Sequence, residues 1–261
     1  MSLTLGPGPL GTRPGGDTNY TIDGPQHRIL FQAYPRRVRA EIGGRIVLDT
    51  VGAHLLHESN LPPRLYVPLD DYDRDLLELT DHTSHCPFKG DAVYYTVRAG
   101  DQVRENAVWA YPRPNPDAAW LAPFASLYWE RADAWYEEDE RLPGSLRDPY
   151  HRVDTRRSSR PVRVATVDGA EIAGSVRPLM VFETGAPPRA YLPREDVTAE
   201  LVPSEKRTIC PYKGEASYWS IRAGDRLIED AAWSYEHPLT EALPAAGLVS
   251  FLHDEVRVFG I

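Results

Sequence analysis

Two pentapeptides hold the residues best suited to chemistry. Cys86-Pro87-Phe88-Lys89-Gly90 returns as Cys210-Pro211-Tyr212-Lys213-Gly214, an offset of 210 − 86 = 124 residues. In each, a thiol precedes an amine by three positions. An ammonium that close favours thiolate, which is the nucleophilic form of cysteine. The competing reading makes each cysteine a small buried hydrophobe that anchors a loop. A cysteine nucleophile also needs a base within reach. No repeated histidine stands beside the thiol, since His82 and His85 align with Lys206 and Ile209. One cysteine per copy and no repeated histidine cannot fill four zinc positions, so neither metal nor cofactor is expected.

A second set pairs Glu58 with Glu183, Arg64 with Arg189, and Tyr66 with Tyr191. An arginine can grip a carboxylate or phosphate while a glutamate serves as general base. The same residues could simply neutralise each other across neighbouring strands. A third set is aromatic: Tyr94, Trp109 and Tyr111 match Tyr218, Trp233 and Tyr235. Single aromatics usually fill cores, but so many in one small repeat could also line a concave pocket. Alternation along the strand sends Tyr94 and Tyr95 to opposite faces. Asp70-Asp71-Tyr72-Asp73 aligns with Arg194-Glu195-Asp196-Val197, so its acids read as helix caps and not as metal ligands. Phosphate-loop, dinucleotide-binding, zinc-protease and serine-elbow motifs are absent from the sequence.

The repeat extends well beyond these sites. Pro62-Pro63-Arg64 aligns with Pro187-Pro188-Arg189, and Ala99-Gly100-Asp101 with Ala223-Gly224-Asp225. A duplicated domain explains such agreement. The expected layout is a flexible Gly/Pro-rich leader over 1–27, a first repeat over 28–140, a connector over 141–160 and a second repeat over 161–261.

Turn chemistry sets the expected elements. Gly43-Gly44 and Asp168-Gly169 suit two-residue hairpin turns. They join Val38–Ile42 to Arg45–Leu48, and Val162–Val167 to Ala170–Ala173. Strands follow at Leu55–Glu58 and Leu179–Glu183, then at Arg64–Val67 and Arg189–Leu192. Short helices are expected over Tyr72–Leu79 and Val197–Leu201, capped by the acids before them. The Cys-Pro segments read as loops. A hairpin then joins Ala92–Arg98 to Gln102–Tyr111, followed by a helical turn over Pro116–Trp120. The closing hairpins are Ser126–Arg131 with Ala134–Tyr136, and Leu248–Leu252 with Val256–Phe259. The predicted class is all-β: two tandem compact barrel-like or tent-like domains of antiparallel hairpins with short helices.

Bulk composition narrows the partners. Hydrophobic residues at 42% and charged residues at 26% indicate a globular chain. A formal charge of −9 without a clustered basic patch argues against nucleic acid and anionic membranes. No apolar run of ~20 residues and no secretion signal is visible. Two cysteines at equivalent positions do not suggest a disulfide, which fits a reducing cytoplasm.

Cys86-Pro87-Phe88-Lys89-Gly90-Asp91-Ala92 and Cys210-Pro211-Tyr212-Lys213-Gly214-Glu215-Ala216 resemble the domain-of-unknown-function 427 family. Phe182-Glu183-Thr184-Gly185, Pro187 to Pro193 and Ala232-Trp233-Ser234-Tyr235 carry the resemblance further. The segment Asp148 to Asp154 looks like that of two-copy members. The resemblance covers nearly everything after the leader. It implies compact all-β domains, akin to tent-shaped folds that hold small ligands in aromatic cages. The family label hints at nucleotidyl transfer. The second copy matches the pattern more fully, the first departing at Phe88, Val93 and Tyr95. The reading reached is a small-molecule-binding protein with an aromatic pocket beside each Cys-Pro-x-Lys-Gly loop and with its two repeats packed on each other. The alternatives are an enzyme, transferase- or hydrolase-like, using Cys, Lys, Glu and Arg there, and a non-catalytic structural or interaction protein.

Overall fold

The computed structural model describes residues 24–261 together with Asp17 and Asn19. The remainder of the expected leader lies outside the described residues. The chain divides after Leu142 into two compact units.

In the first unit the strands are β1 (Ile29–Ala33), β2 (Val38–Ile42), β3 (Arg45–Thr50), β4 (His54–Glu58), β5 (Leu61–Pro68) and β6 (Leu77–Cys86). Next come β7 (Gly90–Ala99), β8 (Gln102–Pro114), β9 (Phe124–Leu127), β10 (Ala134–Glu137) and β11 (Glu140–Arg141). Among the described residues they form a seven-stranded sheet, β1-β4-β5-β9-β8-β7-β6, and a four-stranded sheet, β11-β10-β2-β3. All paired strands are antiparallel.

The second unit repeats this plan with β12 (Val153–Arg157), β13 (Val162–Thr166), β14 (Glu171–Ser175), β15 (Leu179–Glu183) and β16 (Arg189–Tyr191). It continues with β17 (Glu200–Cys210), β18 (Gly214–Ala223), β19 (Arg226–Ser234), β20 (Val249–Phe251) and β21 (Val256–Phe259). Its sheets are β12-β15-β16, β17-β18-β19-β20 and β14-β13-β21. Leu192 and Val249 exchange two backbone hydrogen bonds of 2.8 Å, which joins the first two sheets in the order seen in the first unit. The class is all-β, and among the described residues no sheet closes as a barrel.

The Gly43-Gly44 and Asp168-Gly169 turns form where expected, with Gly43 and Gly44 at φ of 58° and 72°, a region that favours glycine. The strands at Glu58, Glu183, Arg64 and Arg189 and the β7–β8 hairpin also form. Three expectations fail. The helices over Tyr72–Leu79 and Val197–Leu201 are only 3₁₀ turns at Leu69–Asp71, Arg74–Leu76 and Arg194–Asp196. The chain then runs straight into the long strands β6 and β17. The acids expected as caps, Asp70, Asp71, Glu195 and Asp196, do not cap; Pro68 and Pro193 precede their turns. Asp73 caps the Arg74–Leu76 turn by accepting from the Asp75 amide, while tertiary pairing with β7 and β18 overrides helix propensity. The closing hairpins are not hairpins either. β9 and β20 add to the large sheets, whereas β10 and β21 cross to β2 and β13. Finally, the stretch 141–160 is not only connector, because β12 within it is the second unit's counterpart of β1.

The cores follow from alternation. Val162, Val164, Ile172, Met180, Leu192, Ile221, Ile228, Val249 and Phe251 gather in one cluster of the second unit. Tyr66, Ala92, Tyr94, Trp109, Tyr111 and Leu121 pack together in the first.

Candidate functional site

The Cys-Pro segments are the tips of the β6–β7 and β17–β18 hairpins. Cys86 pairs with Gly90 and Cys210 with Gly214, leaving Pro, an aromatic and Lys as the turn. Gly214 has a φ of 97°, and a Cβ there would meet the His237 carbonyl oxygen at 3.4 Å, so the turn favours glycine. Both cysteines are free and half-buried. Neither lysine bonds to its thiol. Lys89 Nζ donates to Glu58 Oε2 at 2.6 Å, and Lys213 Nζ donates to Glu183 Oε2. The ammonium thus serves the carboxylate at the end of β4 or β15.

A histidine completes each cluster. His27 Nε2 lies 2.8 Å from Glu58 Oε1, and His151 Nε2 lies 3.0 Å from Glu183 Oε1. Each ring stacks on the turn aromatic, His27 on Phe88 at 3.7 Å and His151 on Tyr212 at 4.0 Å. The local backbone explains the placement. The Arg28 amide donates to Ser59 Oγ at 3.0 Å and the Arg152 amide to Thr184 Oγ1 at 2.8 Å. The residue after each histidine is thereby tied to the residue after each glutamate. Histidine does repeat, then, and at the same offset as the cysteines: 151 − 27 = 124. The expectation of no repeated histidine fails because His27 fell in the supposed leader and His151 in the supposed connector.

Burial is severe around the first cluster, with Glu58 5% and Lys89 8% exposed. In the second, burial pushes the Glu183 carboxyl up, but hydrogen bonds from His151 and Lys213 and the Lys213 charge outweigh it and bring it down to about 2. The carboxylate is therefore ionised at neutral pH and fully engaged.

Arg64 and Arg189 do not pair with the glutamates. Arg64 is exposed on β5 and makes no ion pair among the described residues. The Arg189 guanidinium lies over the face of Trp233, 5.3 Å from the ring centroid. It too has no acidic partner among the described residues.

The aromatic set is brought together in both units. Tyr94 faces Trp109 across β7–β8, and Tyr218 faces Trp233 across β18–β19. Trp109 Nε1 donates to the Tyr66 hydroxyl at 3.2 Å, and Trp233 Nε1 to the Tyr191 hydroxyl at 3.1 Å. Burial pushes the Tyr191 phenol up to about 12, the Trp233 hydrogen bond working against it. Burial likewise raises Tyr66, Tyr111 and Tyr235. These phenols stay neutral at ordinary pH. Trp219, next along from Tyr218, packs on the other face against the core, as alternation requires.

In the second unit this set lines a cavity of about 590 Å³. Tyr191, Tyr218, Trp233 and Tyr235 form its aromatic wall, and Arg189 and Lys213 reach it as well. Lys206 closes one side, its Nζ 4.5 Å above the Tyr218 ring and 3.5 Å from Asp230 Oδ2. Leu252 and His253 form the rim, with Leu252 61% exposed.

The equivalent space in the first unit holds a side chain. Tyr128 occupies the backbone place of Leu252, its amide donating to Ala107 O at 3.0 Å as that of Leu252 donates to Ala231 O at 3.2 Å. Its ring lies 4.4 Å from that of Trp109. Burial first, then the neighbouring Tyr94 hydroxyl, push the Tyr128 phenol above its ordinary value, while Arg64 works the other way. A cavity of about 550 Å³ in this unit is lined instead by Thr83, Ser84, His85, Asp91, Val93 and Arg113 and touches none of the aromatic set. The offset could have revealed both histidines, and the change from Tyr128 to Leu252 was readable as a lost aromatic.

A family model described as a domain of unknown function, DUF427, matches residues 30–138 and, a second time, residues 154–260. No curated protein matches the chain.

Proposed function

The chain belongs to the DUF427 family in two copies, and from that premise we propose that it binds a small molecule in the cavity of its second unit. One observation carries this reading. The side chains that recur between the copies, Tyr191, Tyr218, Trp233, Tyr235, Arg189 and Lys213, converge on one open cavity of about 590 Å³. That volume suits a metabolite, and an aromatic wall facing convergent charged groups can hold one in a fixed orientation. The His151–Glu183–Lys213 cluster supports the wall from behind. Its ion pair holds the hairpin tip against β15 and commits the lysine charge to Glu183. The first copy keeps the same supports around a space filled by Tyr128, so its role is structural.

A thermal-shift screen of a broad metabolite library against the whole chain tests the reading. The expected result is stabilisation by a narrow set of compounds, and loss of that stabilisation in a Trp233→Ala variant that remains folded. Absence of any stabilising compound would sink it.

A further inference from the structure

The first unit carries a template of what the second unit takes. At equivalent backbone positions, Tyr128 places a phenol ring against Trp109, with its hydroxyl end toward Tyr94. The second unit has Leu252 instead, 61% exposed, and Trp233 lines the cavity with the Arg189 guanidinium over its ring. The residues that receive the Tyr128 ring are retained there, Trp233 for Trp109 and Tyr218 for Tyr94, and Arg189 stands at the position of Arg64.

Charge decides the rest. Of the cations on the cavity, Lys213 is held by Glu183 and Lys206 lies 3.5 Å from Asp230. Arg189 alone, among the described residues, faces the cavity as a cation with no acid against it, its guanidinium 5.3 Å from the Trp233 ring centroid. A guanidinium so placed offers a fork of donors to a carboxylate or phosphate. Glu229 also lines the space but sits exposed at its edge, where water screens it. The geometry points to an aryl anion as the ligand: a planar aromatic ring bearing a carboxylate or phosphate, the ring on Trp233 and the anion on Arg189, one molecule per chain. The inference rests on the binding reading above and adds the ligand class, the stoichiometry and the reason the first copy stays empty of ligand.

Isothermal titration of the full chain with four probes tests it: phenyl phosphate, 4-hydroxybenzoate, phenol and benzylamine. The two anions should bind at one site per chain, at least about tenfold more tightly than the neutral and cationic rings. Arg189→Ala should remove that preference and Arg189→Lys should restore part of it, each with an unchanged melting curve. Leu252→Tyr should plug the second cavity and abolish binding, whereas Tyr128→Leu should open a second site and move the stoichiometry from one to two. Binding of phenol or benzylamine as tight as that of the anions would overturn the ligand class while leaving a small-molecule cavity in place. Binding that Leu252→Tyr leaves untouched would overturn the site itself. Failure of all four probes to bind would overturn the inference, and the metabolite screen would then decide the binding reading separately.

Discussion

The two copies share a skeleton and differ in what they leave open. In both, a carboxylate at a strand end holds a hairpin-tip lysine and a stacked histidine, and a tryptophan hydrogen-bonds a buried tyrosine. In the first, the carboxylate and lysine are almost completely buried and Tyr128 fills the aromatic space. In the second, the glutamate is more exposed, the histidine is less so, and the aromatic space is a cavity. Duplication preserved the parts that hold the sheets in register. One exposed rim position separates a filled copy from an open one.

Removing Glu58 should break the comparison hardest. Glu58→Ala leaves Lys89, 8% exposed, and His27 without their carboxylate. Orphaning a buried charge costs about 3–5 kcal/mol. The matching Glu183→Ala should cost less, roughly 2 kcal/mol, because the Glu183 side chain is itself more exposed than that of Glu58, 18% against 6%, so its interactions are more screened. Urea unfolding of each variant measures both. Equal costs would show that exposure is not what distinguishes the clusters.

Acid should probe the second cluster by itself. The Glu183 carboxyl is held at about 2 against an ordinary 4.5. A depressed carboxyl lends stability that is fully present above its unfolded value and is lost as pH falls through its folded value. The loss therefore lies between about pH 5 and pH 2, and amounts to roughly 2 kcal/mol after solvent screening. Glu183→Gln should remove that arm of the stability–pH curve. An unchanged curve in this variant would mean that other acids govern the acid transition.

The rim residues should give a smaller contrast. Tyr128→Ala strips a half-buried ring from Trp109 and should cost about 1–2 kcal/mol. Leu252→Ala alters a side chain that is 61% exposed and should stay within about 0.5 kcal/mol. A large cost at Leu252 would show that the cavity rim is packed and not open.

Much of this was legible in the sequence, and the failures have physical causes. The repeat itself, the Gly-Gly and Asp-Gly turns and the strands ending at Glu58 and Glu183 followed from turn chemistry and alternation. The aromatics on one face followed too. β6 and β17 did not. Their residues, such as Glu78, Asp81, Glu205 and Lys206, are polar because these strands lie at sheet edges with exposed faces, so period-two burial is weak. The partner of each glutamate was misjudged because Arg64 and Arg189 lie near in sequence, whereas Lys89 and His27 are 31 residues away on either side. The histidines were hidden by proline- and glycine-rich neighbours that resemble linker. Charge pairing across such separations is a property of the sheet order, which local pattern does not encode.

The smallest contrast concerns the tryptophan–tyrosine bond. Tyr66 and Tyr191 are each only 1% exposed, and each accepts a hydrogen bond from a tryptophan ring. Phenylalanine at the tryptophan removes the donor together with the five-membered ring that carries it, so each substitution costs a cavity contribution plus the hydrogen bond. Around Tyr66 the lost bond has no ready substitute, because Tyr128 and Tyr111 close the space. Beyond the cavity contribution, Trp109→Phe should therefore cost about 1–1.5 kcal/mol, near the upper range for one hydrogen bond. Around Tyr191 the cavity lets water approach the hydroxyl from the Trp233 side. A water bridge recovers most of the enthalpy of a direct bond, so Trp233→Phe should cost roughly 0.5 kcal/mol beyond its cavity contribution. Leu252→Tyr, by filling the cavity, should raise the cost of Trp233→Phe to that of Trp109→Phe. A double-mutant cycle between positions 233 and 252 reads this coupling directly. No coupling would mean that the two buried tyrosines are equally dry, and that the cavity ends short of Tyr191.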